Sequence, residues 1–275
     1  MKLLVVGDLH YPYEFRFFQF KKLLERENPD LILICGDILN YFNLIHLDVF
    51  LNEIHKVSAA QLIAVMGNHD FWRVRKDDLA TGTSWSNIYQ YHRLLQEHGD
   101  ILLWKNPYIL DELGIVGVPG WFDFSFAPWS LGFTREDFER GVYNNSIWND
   151  MLYTSFLMSS EEVTKLHITL LNRQLLDVTR EDLNTVIVLL HFVPLKEFVP
   201  VQEKDKNELF WNAYYGSQQL GETILAYKDI ISYVFFGHLS PRYLTQKKII
   251  KEGIPFESVD ITENINDSAI LILPE

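Results

Sequence analysis

The sequence predicts an α/β fold built on parallel strands, and three observations carry that expectation. Five apolar runs of strand length, residues 3–6, 31–35, 62–66, 186–190 and 233–236, are continuous rather than alternating in hydrophobicity, as expected of strands buried on both faces. Amphipathic stretches of helical period separate the first three runs, and strand–helix–strand units favour parallel pairing. Each run stops at a short polar motif containing Asp, Asn or His, and the carboxyl ends of strands are where open α/β sheets build their sites.

Taken in order, the first run leads to a helix over 14–27, with Phe17, Phe18, Phe20, Leu23 and Leu24 on its apolar positions and Asn28-Pro29-Asp30 ending it. A second helix over 43–57 uses Leu44, Leu47, Phe50, Leu51 and Ile54. Thr83 or Ser84 caps a third, running to about His98 and stopped by Gly99, and short strands follow at 101–104 and 115–118. From about 119 to 160 aromatic residues crowd a weakly periodic segment, expected as an insertion beside a site. Ser159 or Ser160, followed by Glu161 and Glu162, opens a long helix to about Val178. Residues 193–216 form a long loop, expected to act as a lid, and Ser217 caps a helix to about Tyr227. The tail, 242–273, alternates like antiparallel strands that close a second sheet. The whole chain, 1–275, is expected to be one domain carrying the insertion and the loop.

Composition narrows the function classes. At 275 residues and 48% hydrophobic, the chain has ample material for a core. A formal net charge of −13 argues against a long nucleic-acid footprint, which needs clustered Lys and Arg. Cys35 is the single cysteine and sits inside an apolar run, so no intrachain disulfide can form and a reducing compartment is expected. The first strand starts at the second or third residue, leaving no room for a leader, and no apolar stretch reaches membrane-spanning length; a cytoplasmic location is the expectation.

The chemistry lies at the strand ends. Asp8 and His10 are two apart, so an extended strand would present both on one face, and Asp37 adds a second carboxylate. That mixed oxygen and nitrogen set suits Mn, Fe or Zn better than calcium. Asn68, His191 and His238 would make a second pocket, with Asp37 bridging two ions about 3.5 to 4 Å apart. A water between two such cations loses its proton near neutral pH and can attack phosphorus in line. His69 directly follows a candidate ligand and is assigned as general acid, with Asp70 close enough in sequence to hold its ring.

Gly7-Asp8-Leu9-His10, Gly36-Asp37-Ile38-Leu39-Asn40, Gly67-Asn68-His69-Asp70, His191 with Pro194, and Gly237-His238 together resemble the ordered motif set of the calcineurin-like metallophosphoesterases. The resemblance spans residues 8–240 and implies two mixed β-sheets packed face to face and flanked by helices, a four-layer sandwich with a dinuclear centre. It implies a first ion on Asp8, His10 and Asp37, a second on Asp37, Asn68, His191 and His238, and a catalytic role for His69. One departure stands out: the family's last motif is G-H-x-H, and here Ser240 occupies the place of its second histidine. A serine hydroxyl is a poor substitute for imidazole, so the first site is expected to bind its ion weakly.

The expected activity is metal-dependent hydrolysis of a small or medium-sized phosphomonoester or phosphodiester. Alternatives are a catalytically weakened scaffold acting as a protein-binding module, which Ser240 would favour, and a nuclease, which the acidic charge disfavours. Arg242, Trp121 and Trp211 are candidate substrate contacts, whereas Arg73 and Arg75 are expected to be surface charges. His46, His55, His92, His98 and His167 fall on predicted helices and are read as structural or solvated. The sequence is silent on oligomeric state.

Overall fold

The computed structural model describes residues 1–73, 82–200 and 205–274. Its first half alternates strand and helix as the periodicity predicts: β1 (Lys2–Val6), α1 (Glu14–Glu27), β2 (Leu31–Cys35), α2 (Leu44–His55), β3 (Gln61–Val65), a one-turn α3 (Asn68–Phe71), α4 (Ser84–Glu97) and β4 (Ile101–Leu102). Local chemistry sets several of these ends. Asn28 closes α1 in the left-handed conformation that asparagine tolerates. The Asn43 side chain accepts the His46 N–H at 3.0 Å to open α2.

The chain then crosses to a second sheet through β5 (Tyr108–Leu110) and β6 (Leu113–Gly117). The aromatic segment contributes α5 (Arg135–Arg140), the small hairpin β7 (Val142–Tyr143) and β8 (Ser146–Ile147), and α6 (Asp150–Tyr153). α7 (Ser160–Val178) starts with a reciprocal cap, Ser159 Oγ taking the Glu162 N–H while the Glu162 carboxylate takes the Ser159 N–H. After β9 (Thr185–Leu189) come α8 (Lys206–Phe210), α9 (Gln218–Leu225), β10 (Tyr233–Phe236), β11 (Lys248–Lys251), β12 (Ile254–Ser258) and β13 (Ala269–Ile272).

The first sheet runs β13-β1-β2-β3-β4 and the second β11-β12-β10-β9-β6-β5. Both are mixed: β1 to β4 are parallel with β13 antiparallel at one edge, and β12, β10, β9 and β6 are parallel between antiparallel β11 and β5. The two-residue period of a strand sorts side chains into layers. Leu3, Val5, Leu33 and Val65 meet Ile115, Ile187, Leu189 and Phe235 between the sheets. Leu4, Val6, Ile32 and Ile34 face α1 and α2 on one outer side, and Val186, Val188, Val234 and Phe236 face α7 and α9 on the other. Four layers result.

The tail departs from expectation. Of the tail strands only β11 and β12 pair antiparallel within the second sheet; β12 lies parallel to β10, and β13 returns to the first sheet beside β1. Pairing there covers a buried strand that would otherwise present an open edge. Among the described residues no helix is long and apolar enough to cross a membrane.

Candidate metal centre

The carboxyl ends of β1, β2, β3, β9 and β10 converge, and with them Asp8, His10, Asp37, Asn68, His69, His191 and His238. The backbone is forced to deliver them. Asp8, His10, Asp37 and His238 all have positive φ, between 50° and 71°. A non-glycine residue there costs about 1 to 3 kcal/mol and persists only where its surroundings demand it. Four such residues in one cluster mark a site rather than a fold requirement. Asp8 and His10 therefore reach the same space through a left-handed turn after β1, not along an extended strand as the two-residue spacing suggested. Glycine does the complementary work: a Cβ at Gly67 would run into Asp37 Oδ1, and one at Gly237 into Asp8 Oδ2.

Asp37 stands at the middle. Its Oδ1 accepts the His69 N–H at 2.9 Å. Its Oδ2 lies 3.5 Å from His191 Nε2, 3.7 Å from His10 Nε2 and 3.9 Å from His69 Nε2. These gaps are too long for hydrogen bonds and close to the spacing of atoms that each ligate one ion at about 2.1 Å. Two triads of ligating atoms share this carboxylate, Asp8–Asp37–His191 and His10–Asp37–His69.

On one side of Asp37 the donors are tightly specified. His191 Nδ1 lies 2.9 Å from the Cys35 carbonyl, which can only accept, so Nδ1 carries the proton and Nε2 a lone pair. That lone pair points at Asn68 Oδ1, 2.8 Å away. Asn68 is oriented in turn by its Nδ2–H, which donates to Asp150 at 2.9 Å. His238 Nδ1 completes the group, 3.1 Å from Asn68 Oδ1 and 3.2 Å from His191 Nε2. Two acceptors at 2.8 Å with no proton between them repel, and a cation removes the conflict. The residues present therefore fit a divalent ion.

The other side is looser. His10 Nε2 lies 3.9 Å from Asp8 Oδ1, and the Asp8 carboxylate takes the His238 N–H at 3.0 Å. His10 Nδ1 and Ser240 Oγ are buried without a hydrogen-bond partner among the described residues. Ser240 lines the cavity as expected for a residue at the position of the absent histidine.

Burial dominates the electrostatics. It pushes the Asp8 and Asp37 carboxyls well up, Asp260 and Asp8 adding the next largest effects respectively, and holds His10 and His191 well down. The same desolvation lowers His238 to about 3 and His69 to about 4, and raises Asp260, another cavity residue, to about 7. Carboxyls pushed up beside imidazoles pushed down are the signature of a site short of positive charge, and a dication opposes the shift of the carboxylates.

Several sequence expectations need correction. Asp70 does not hold the His69 ring: its carboxylate accepts the N–H groups of Leu39 and Gly67 at 2.9 and 2.8 Å and the Tyr91 hydroxyl at 3.2 Å. Successive residues on the one-turn α3 point about 100° apart, so adjacency in sequence separates the two side chains. The His69 ring is held instead by the Asn40 carbonyl, 2.9 Å from Nδ1, and by Trp72, stacked at 3.5 Å between ring centres. Trp121 is buried, packed on Phe71, Phe156 and Phe192, and does not line the cavity above the centre. Arg242 also lies off the cavity, pairing with Glu263 at 2.9 Å and resting on the Tyr243 ring. Trp211 does line it. Arg75 lies outside the described residues.

That cavity, about 620 Å³, has the Asp37 cluster as its floor and Trp72, Trp148, Trp211, Tyr215 and Tyr243 in its walls. Sequence reasoning missed Asp150. Buried, it accepts from Asn68 Nδ2, Trp72 Nε1 at 2.5 Å and Trp148 Nε1 at 2.8 Å. Burial raises its carboxyl to about 6. No local signal marks it, because its partners lie up to 82 residues away.

Comparison with known proteins bears on the fold and the family. A crystal structure of a phosphopantetheinyl hydrolase from Mycobacterium tuberculosis is similar over 100% of this chain and 96% of that one, at TM-score 0.70 and 16% sequence identity. The structure of TT1561 from Thermus thermophilus is similar over 95% and 90%, at TM-score 0.58 and 13% identity. At such identities the likeness concerns the fold. No curated protein sequence matches the chain. The profile of the calcineurin-like phosphoesterases, however, matches residues 1–240, and the chain belongs to that family of metal-dependent phosphoric ester hydrolases.

Proposed function

We propose that the protein hydrolyses a phosphomonoester or phosphodiester of small or medium size at a dinuclear centre, with Asp8, His10 and Asp37 holding one ion and Asp37, Asn68, His191 and His238 the other. The observation that carries this reading is Asp37 Oδ2, 3.7 and 3.5 Å from ligating nitrogens on the two sides of the floor of an open cavity. Mn, Fe or Zn suits the mixed donor set. When bound, such ions supply an attacking water of lowered pKa and neutralise phosphoryl oxygens. The chain's own part is to orient and to move a proton. The Asn40 carbonyl fixes the proton of His69 on Nδ1, leaving Nε2 on the side of Asp37; the charge of a bound phosphoryl group raises the basicity of Nε2, which takes a proton from solvent water and passes it to the leaving oxygen. The aromatic walls suit a planar or uncharged arm. The similar structure from Mycobacterium tuberculosis is named for phosphopantetheinyl hydrolysis, and a phosphodiester bearing an arm of that kind heads the candidates. Cys35, buried and free, is the ground for assigning a reducing, cytoplasmic setting.

A second reading of His69 has its own observation. Its Nε2 falls in a triad with His10 and Asp37, where it could ligate the first ion in place of the histidine that Ser240 replaces. One experiment separates the two. With Mn, the purified protein is expected to hydrolyse bis(p-nitrophenyl) phosphate, and His69→Ala to lose about 10² to 10⁴ in rate while keeping its metal content. Loss of metal makes His69 a ligand, and full activity removes it from the chemistry.

A further inference from the structure

One side chain of the aromatic segment, Asp150, hydrogen-bonds directly to a candidate ligand. Asp150 opens α6, is buried, and receives three N–H donors that belong to three different parts of the site. Asn68 Nδ2 comes from the candidate ligand set, Trp72 Nε1 from the ring stacked on His69, and Trp148 Nε1 from the cavity wall. An amide has two ends of similar size and opposite polarity, and only its oxygen can ligate a cation. Asp150, which accepts hydrogen bonds and has no side-chain N–H to offer, decides which end Asn68 turns away from the ions.

We propose that Asp150 is a positioning residue: by holding the Asn68 amide nitrogen it presents Asn68 Oδ1, together with the lone pair of His191 Nε2, to the second ion. The inference rests on the metal-centre reading above. Both tryptophans are tied to the same carboxylate, so the wall of the cavity and the orientation of a ligand are set by one group. Partners that orient ligands in this way typically contribute about 10- to 100-fold in metal affinity.

The pair predicts an inverted result for a substitution that should otherwise help. Asn68→Asp supplies a carboxylate, ordinarily the stronger ligand, yet sets it against Asp150 across a 2.9 Å contact where a hydrogen bond had been. Calorimetric titration of the metal-free protein with Mn²⁺ is expected to show the Asn68 site weakened about 10-fold or more in Asn68→Asp and in Asp150→Asn, with the other site unchanged within about threefold. The double variant reverses the pair, an amide at position 150 donating to a carboxylate at position 68, and affinity at that site should exceed the product of the two single effects by at least about tenfold. Single effects that simply multiply would overturn the proposal, as would an equal loss at both sites accompanied by a lowered melting temperature. If Asp150→Asn does not fold, Asn68→Asp alone still decides: unchanged or tighter binding overturns the role of Asp150. A wild-type chain that takes up no Mn²⁺ would instead refute the metal centre itself.

Discussion

The two sides of Asp37 are built to different standards. Around His191 and Asn68 each atom is assigned: the Cys35 carbonyl sets the tautomer of one, Asp150 the amide of the other, and both are buried. Around His10 one ring nitrogen and the Ser240 hydroxyl have no partner among the described residues, a feature His238 Nε2 shares on the other side, and here the separations stretch to 3.9 Å. In the proposed dinuclear centre, a shared carboxylate would join a preorganised site to a loosely defined one. Preorganisation lowers the cost of ordering ligands on binding, so the two ions should differ in affinity.

Restoring the absent imidazole would erase that contrast. Ser240→His is expected to tighten the weaker Mn²⁺ site by about 10- to 100-fold, about 1.4 to 2.8 kcal/mol, and to bring two unequal calorimetric affinities together. Two equal, tight sites in the unaltered protein would break the comparison outright.

A smaller effect uses a histidine outside both halves. His167 is buried on α7, with Nδ1 on the Gly120 carbonyl at 2.7 Å and its pKa lowered by desolvation to about 4. The unfolded chain takes up a proton near pH 6.5 and the folded chain does not, so this group's contribution to stability is present at high pH and is lost progressively as pH falls from about 6.5 toward 4. His167→Gln should therefore flatten the decline in stability between about pH 8 and pH 6 by about 1 kcal/mol, measured by urea titration. Mn²⁺ should leave that increment unchanged, since His167 faces neither half; an increment that vanishes on metal loading would tie the residue to the centre.

Much of the fold was legible because it depends on short-range pattern. Continuous apolar runs predicted β1, β2, β3, β9 and β10, and the ligating types at their ends predicted which side chains would meet. Asp37 and His191 belong to opposite halves of the chain yet face each other at 3.5 Å, a meeting that strand-end logic anticipates. What the pattern could not carry is direction. Aromatic content does not say which rings face inward, and Trp121 went to the core while Trp148 and Trp211 faced the cavity. Adjacency misassigned Asp70 because a single helical turn separates neighbours. Left-handed backbone at Asp8, His10, Asp37 and His238 has no sequence mark when the residue is not glycine. Asp150 reaches Asn68 and Trp72 across sequence distances at which no periodicity operates.

The central claim is that one carboxylate serves two ions, and Mn²⁺ titration of Asp37→Ala against the unaltered protein tests it most directly. The account predicts two ions per chain in the unaltered protein and a loss of affinity at both sites in the variant, each by at least about 100-fold, beyond what an orienting partner contributes. A variant that loses one ion while holding the other at its original affinity would contradict it.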